Sequence, residues 1–271
     1  GQSNSGSDNV FIGTKAGQLN DTGSNNVYIG TQTGINNVSG QSNVFLGFSA
    51  GELSSTGNNN VFLGTLSGQS NSGGDNVFIG TKAGLSNTGG SNNVFLGNNS
   101  GESSSGYNNV FLGNLAGKVN GGNDNVFIGT KTGFSNVSGV SNVFLGNSSG
   151  ESSTGDYNVF MGTLTGKFNS GNNNVFLGTM SGQSNTGSTN VFIGNDVASQ
   201  CNGGSDNVFI GYQTGRSMDT GTKNVFLGNN AGKNASSGNN NVFLGTNTGQ
   251  SDSGTNNVFL GTEAGMKNTG A

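Results

Sequence analysis

Few side chains here could do chemistry: 13 carboxylates, 9 Lys and Arg, one cysteine and no histidine among 271 residues. General acid–base catalysis needs titratable groups that converge on one point. These carboxylates instead scatter over the turns and columns of a repeat, and no pair of them recurs. A glycosidase pair built across neighbouring turns is the one enzymatic arrangement they leave open; their scatter argues against it, and the chain is read as a non-enzyme without a cofactor. Asp8, Asp75, Asp124 and Asp206 share one phase of the repeat. Calcium-binding β-rolls place a carboxylate in each turn, so four occurrences are read as solvated turn residues, with no metal site. Cys201 lies in the one irregular turn, Asn195-Asp196-Val197-Ala198-Ser199-Gln200-Cys201-Asn202. A bulge, a partner contact or a cross-link could be built there, but no histidine or basic cluster lies near enough to lower the thiol's pKa, and it is read as inert. The Gly13 to Gly17 spacing lacks the Lys-Ser/Thr pair and following helix of a phosphate loop. Thr-x-Thr at Thr31/Thr33, Thr130/Thr132, Thr163/Thr165 and Thr246/Thr248 raises a last possibility, a flat Thr array that orders water against ice. The column of Thr31 also holds Asn, Phe48 and Tyr212, so the array is irregular, and ice binding stands as the alternative function.

What must position these groups is a repeat that occupies the whole chain. Asn-Val-Phe-Ile-Gly at Asn9–Gly13 returns with its first residue at Asn26, Asn43, Asn60, Asn76, Asn93, Asn109, Asn125, Asn142, Asn158, Asn174, Asn190, Asn207, Asn224, Asn241 and Asn257. The Asn, Val and Gly never change. Phe yields once, to Tyr28, and the fourth position takes Ile, Leu or, once, Met161. Self-similarity at a step of 16 or 17 residues is the mark of a solenoid, in which each turn buries its apolar residues against the next. Gly and β-branched residues dominate and no 3.6-residue period appears, which excludes helix. The fold expected is all-β: a parallel β-solenoid, or β-roll, of sixteen 16–17-residue coils, in a single repeat domain over 1–271. At the spacing of hydrogen-bonded strands, such a rod is roughly 75 Å long.

Each coil then reads as a short Val-Phe-Ile strand, a glycine corner at Gly13, a second short extended piece, and a turn through Asn20 and Gly23. The Asn9 column is expected to pass amide hydrogen bonds from rung to rung. Alternation sends Val10 and Ile12 to one face and Phe11 to the other. Thr14 and Ala16 are small or hydroxylic nearly everywhere, whereas Lys15, Gln32, Leu66, Asp196 and Glu263 occupy one column without preference. That contrast predicts Thr14 and Ala16 inside with Val and Ile, and Phe outside. The external stripe would comprise Phe11, Tyr28, Phe45, Phe62, Phe78, Phe95, Phe111, Phe127, Phe144, Phe160, Phe176, Phe192, Phe209, Phe226, Phe243 and Phe259. Monomers rarely expose so much contiguous apolar surface. Three apolar positions in a row mark a strand buried on both faces, and a single coil buries only one, so the stripe is expected to mediate self-association.

Net charge is -4 with the charges scattered singly, so no basic stripe exists for nucleic acid. No apolar run reaches the length of a membrane helix or a signal-peptide core, and the chain is read as mature or as a fragment. Residues 76–124 and 125–173 match over 49 positions, and 26–75 is a looser copy with Glu52 where Glu102 and Glu151 stand. The coils were multiplied in threes. No helix, loop or charged coil closes either end, so either a cut from a longer array or a subunit stacking head to tail is expected.

The stretch Asn-Val-Phe-Ile-Gly-Thr-Lys-Ala-Gly at 9–17, with its copies at 76–84 and 125–133, resembles the Asn-x-x-Ile-Gly-x-x-Ala-Gly repeats of bacteriophage tail-fibre and related surface proteins. It is similar, more distantly, to the Ser-Val-Ala-Ile-Gly repeats in the heads of trimeric autotransporter adhesins of the YadA type. The adhesin resemblance implies a left-handed β-roll, three chains side by side, on an extracellular appendage. Val10 and Ile12 map to residues inside the roll and Phe11 to a small residue facing the neighbouring chains. The expected function is therefore structural: a self-associating fibre or filament protein, adhesin-like, whose partners are its own copies and a surface ligand.

Overall fold

Val-Phe-Ile and its variants are the only runs in each coil built of β-branched and aromatic residues, and Asn and Gly bracket them on both sides. Such residues favour a pleated strand, and their brackets favour turns. The computed structural model, which describes residues 4–266, forms a three-residue strand at every one of these runs. The fold is a parallel β-solenoid of about 17 residues per coil, and no helix forms among the described residues. None is therefore long and apolar enough to cross a membrane.

The chain falls into two compact units, Gly1–Ser141 and Asn142–Ala271. The first carries β1 (Val10–Ile12), β2 (Val27–Ile29), β3 (Val44–Leu46), β4 (Val61–Leu63), β5 (Val77–Ile79), β6 (Val94–Leu96), β7 (Val110–Leu112) and β8 (Val126–Ile128). The second carries β9 (Val143–Leu145), β10 (Val159–Met161), β11 (Val175–Leu177), β12 (Val191–Ile193), β13 (Val208–Ile210), β14 (Val225–Leu227), β15 (Val242–Leu244) and β16 (Val258–Leu260). Within each unit every strand pairs in parallel with the next, Val on Val and Phe on Phe or Tyr28. The Val10 N–H donates to the Asn26 carbonyl at 2.8 Å and the Gly30 N–H to the Ile12 carbonyl at 2.8 Å.

Past the glycine corner the coil turns where an extended piece was expected. The Ala16 N–H donates to the Gly13 carbonyl at 3.3 Å, and the Asn20 N–H to the Gly17 carbonyl at 3.2 Å. Rung-to-rung bonding continues through these turns, with the Gly17 N–H on the Thr33 carbonyl and the Leu19 N–H on the Ile35 carbonyl. The backbone is thus satisfied around most of the coil. Two non-glycine residues per coil hold a left-handed backbone, those in the columns of Asp8 and Lys15, and the irregular coil adds Ala198.

Inside and outside are the reverse of the expectation. Phe11 and Phe259 are partly covered; Tyr28, Phe45, Phe62, Phe78, Phe95, Phe111, Phe127, Phe144, Phe160, Phe176, Phe192, Phe209, Phe226 and Phe243 are fully buried within the single chain. The Phe residues therefore form the core and cannot be the self-association stripe, nor can Phe11 face a neighbouring chain as the adhesin resemblance implies. Val10, Ile12 and their counterparts lie outside, partly exposed in every coil and more than half exposed only at Ile12, Val258 and Leu260 on the two end rungs. The alternation itself holds, with the middle residue of each strand covered and its two neighbours open. Thr14 and its whole column are exposed, whereas Ala16 is buried.

The cause sits six residues beyond each ring. A Cβ placed on Gly17 would come within 2.7 Å of the Phe11 ring, and one on Gly84 within 2.4 Å of the Phe78 ring. The ring rests on the bare glycine, so the narrow coil has room for a phenyl group only because this corner lacks a side chain. Rings then stack from rung to rung. Centroids lie 4.6–5.1 Å apart with planes within 4–15° in the first unit. Each such pair contributes about 0.5–1.5 kcal/mol beyond the area it buries.

Candidate functional surface

With the rings inside, the outer face of the strand ladder presents two adjacent columns made only of Val, Ile, Leu and one Met. Val44 is 38% exposed and Leu46 45%. The stripe contains no charge. Its polar borders are the exposed column of Thr14, mostly Thr and Asn, and the column of Asp8, mostly Asn, Asp and Ser. This surface replaces the Phe column as the candidate for function. One signal in the sequence pointed to it: the Gly17 column is as constant as the Phe column and is broken only by Ala198.

The Asn9 column holds the stripe's strands in register, by a different bond from the amide-to-amide ladder expected. The Asn43 N–H donates to Asn26 Oδ1 at 2.9 Å, while Asn26 Nδ2 donates to the Gly40 carbonyl at 2.8 Å. The same pair of bonds recurs at Asn60, Asn76, Asn93 and Asn109. Each buried amide therefore ties one strand start to the next and closes its own coil. Direct amide-to-amide bonds accompany these at Asn93 to Asn76 and Asn224 to Asn207.

A second buried column begins at Asn20 and contains Asn, Ser, Cys201, Met218, Ala235 and Asp252. It explains the two coil lengths. Coils of 16 residues place one residue between this column and the corner glycine, as at Asn71-Ser72-Gly73, and coils of 17 place two, as at Asn37-Val38-Ser39-Gly40. In the short form the amide caps the corner: Asn71, Asn120, Asn169 and Asn185 donate to the glycine carbonyl two residues on, at 2.6–2.7 Å. In the long form Asn20 still reaches its glycine carbonyl, Gly23, at 2.9 Å, whereas Asn37, Asn87 and Asn136 are buried with neither amide atom hydrogen-bonded.

Cys201 is also buried in this column, with Sγ 3.8 Å from Asn185 Oδ1. Burial pushes its thiol up to about 11, opposed by backbone bonds at Gly204 and Gly203. Burial likewise raises the Tyr28 phenol above its ordinary value, with the Asn43 side chain opposing the shift.

The acidic turn residues Asp8, Asp75, Asp124 and Asp206 are exposed, and among the described residues no three His, Cys, Asp or Glu side chains group to hold a metal. Asp75 and Asp124 each accept a bond from the preceding rung, from Asn59 and Asn108 at 3.0 Å. The longer 49-residue period has a physical counterpart. Glu102 pairs with Lys118 and Glu151 with Lys167, both at 3.3 Å, and Glu52 accepts from Gln69 at 2.8 Å. In each case the partner is the next rung's residue in the same column. The irregular coil has its own ion pair, Arg216 to Asp196 at 3.0 Å.

The Thr-x-Thr pairs do not form a two-Thr-wide array. Thr31, Thr130, Thr163 and Thr246 face outward, but Thr33, Thr132, Thr165 and Thr248 are buried. The Thr33 hydroxyl donates to the Gly47 carbonyl at 2.6 Å, and the Thr248 hydroxyl to that of Gly261 at 2.8 Å. Comparisons with protein-family models, with curated proteins and with solved structures each return no match.

Proposed function

We propose that this chain is a structural, self-associating fibre or filament protein, the repetitive shaft of an extracellular microbial or phage appendage, with its own copies as principal partner. The observation that carries this reading is the uncharged double column of Val and Ile or Leu on the outer face of each unit. Full burial of one such side chain is worth about 1.5–3 kcal/mol, or roughly 60–120 Å² of apolar surface. Sixteen of them on β1–β8, each partly exposed, therefore offer on the order of 500 Å² in one unit. That matches the largest patches ordinary monomers carry, which are often functional. Lateral association is the reading that uses this area.

The test is negative-stain imaging together with sedimentation of the purified chain. Filaments or defined oligomers are expected, and a Val94→Thr, Leu96→Thr, Val110→Thr, Leu112→Thr variant should lose them while keeping its β-structure by circular dichroism. A wild-type chain that sediments as a monomer at every concentration would overturn the reading. Thermal hysteresis in that monomer would favour ice binding through the single exposed Thr column.

A further inference from the structure

If the stripe joins two copies, as the proposed function holds, the structure also says which way they face. Two flat faces can meet around a two-fold axis in only two ways. An axis along the strands sets the stacks antiparallel, with Val over Val, Leu over Leu, and the Asp8 column over itself. An axis along the stacking direction sets them parallel, with the Val column of one copy over the Ile/Leu column of the other, and the Asp8 column over the Thr14 column. We infer that the chain pairs with a second copy of itself in the parallel arrangement, rung against identical rung, through the outer Val and Ile/Leu columns.

Three observations support this occupant and this direction. The first is periodicity: the stripe repeats once per rung, at about 4.8 Å along the ladder, and only another ladder supplies the same repeat along its length. A second copy does so by construction, and an isologous contact of this kind closes on itself. The stripe's area, together with its polar borders, approaches the roughly 800 Å² per partner that a standard interface buries.

The second is shape. In the parallel arrangement each smaller Val faces a larger Ile or Leu, so the gap between the two ladders is even across the strand. The antiparallel arrangement sets small on small along one column and large on large along the other, which forces a wedge. The border columns follow the same rule. Phe48 stands exposed in the Thr14 column of the β3 rung, and the Asp8-column residue of that same rung is Ser42, small enough to leave it room.

The third is charge. In the first unit the Asp8 column carries Asp8, Asp75 and Asp124, all exposed, and no basic residue. The antiparallel arrangement sets this acidic border against its own copy, and like charges brought together oppose association. The parallel arrangement sets it against Thr and Asn side chains, which can donate. Asp75 and Asp124 each use Oδ1 for a bond from the preceding rung, and Oδ2 can take a donor from across the interface.

The experiment measures distances between spin labels in the oligomer, with labels at Thr31→Cys, Thr81→Cys or Asn114→Cys, one per chain, in a Cys201→Ser background. These positions share one column on the β2, β5 and β7 rungs. The parallel pair gives the same inter-label distance at all three. The antiparallel pair gives distances that change along the column by up to roughly 48 Å over the five rungs. A second set at Leu53, Ser86 and Val119, outside the stripe and both borders, repeats the measurement without touching the contact. Association with position-dependent distances would overturn the parallel arrangement and leave the structural reading standing. Chains that stay monomeric, labelled and unlabelled, would overturn both.

Discussion

At the scale of the residue, the decisive contact joins positions six apart, the ring of each strand and the glycine beyond its corner. A methyl group on Gly84 meets the Phe78 ring at 2.4 Å, and the backbone there has a φ of +58°. Gly84→Ala should therefore cost about 2–4 kcal/mol, from overpacking and a left-handed alanine together, read as a lower urea midpoint. The natural exception, Ala198 at φ 47°, lies beside a ring step of 5.1 Å and 10°, against 4.7 Å and 6° for the step before it. Ala198→Gly should gain about 0.5–1 kcal/mol in the same assay. Tyr28 puts a hydroxyl into the core with only the Asn43 side chain to offset its burial and no well-formed hydrogen bond, so Tyr28→Phe should raise stability by about 1 kcal/mol in thermal or urea unfolding. The buried thiol makes a pH prediction. Cys201 titrates at about 11 when folded, against 9.0 for the free group, because burial disfavours the thiolate. Its contribution is full below pH 9 and is lost as pH rises towards 11, since only the unfolded chain can ionise there. The loss should be on the order of 2–3 kcal/mol, and the stability-against-pH curve of Cys201→Ser should lack that component.

At the scale of the coil, the variable length is one inserted residue at one corner, between the Asn20 column and its glycine. Deleting Thr88 turns Asn87-Thr88-Gly89-Gly90 into the Asn-Gly-Gly form already present at Asn120-Gly121-Gly122. The Asn87 amide can then cap the corner as Asn120 does, and the deletion should be tolerated or gain about 1 kcal/mol in urea unfolding. Deleting Gly80 instead shifts everything between the β5 strand and its corner by one residue. Because side chains alternate with period two, a one-residue slip exchanges the faces of a strand, and that variant should lose cooperative unfolding. Strands, coil starts and the parallel register were legible in the sequence because Asn, Val and Gly recur at one phase. The direction of each strand was not. Val, Phe and Ile are all apolar, so no polar alternation marks the inner face. The tolerance of the Lys15 column, read as an alternation with Thr14 and Ala16, misled because Gly13 and the left-handed residue at 15 break the period of two between them. The fact that resolves it, a ring lying on Gly17, is a contact across the corner that a strand-sized window does not contain.

At the scale of the whole molecule, correcting the core moves the candidate surface without removing it. The chain had more apolar columns than one coil can enclose, and whichever column lay inside, another had to lie outside. Phe went in because a planar ring stacks on its neighbours and on a bare glycine, which left the branched aliphatic residues on the pleated outer face. A surface of this kind associates by removing apolar area from water, and that force has a thermal signature separate from any charge effect. It weakens on cooling, and excluded salts such as sulfate strengthen it. The net charge of -4 and the three Asp residues on one border of the first unit act in the opposite sense, as a modest repulsion that salt screens. Sedimentation of the wild-type chain should therefore show more oligomer at room temperature than in the cold, and more in high salt than in low. Association that instead weakened with added salt would place the contact on the Lys and Glu ladder at Glu102–Lys118 and Glu151–Lys167. In that case Lys118→Gln with Lys167→Gln, and not the Thr substitutions of the stripe, would abolish it.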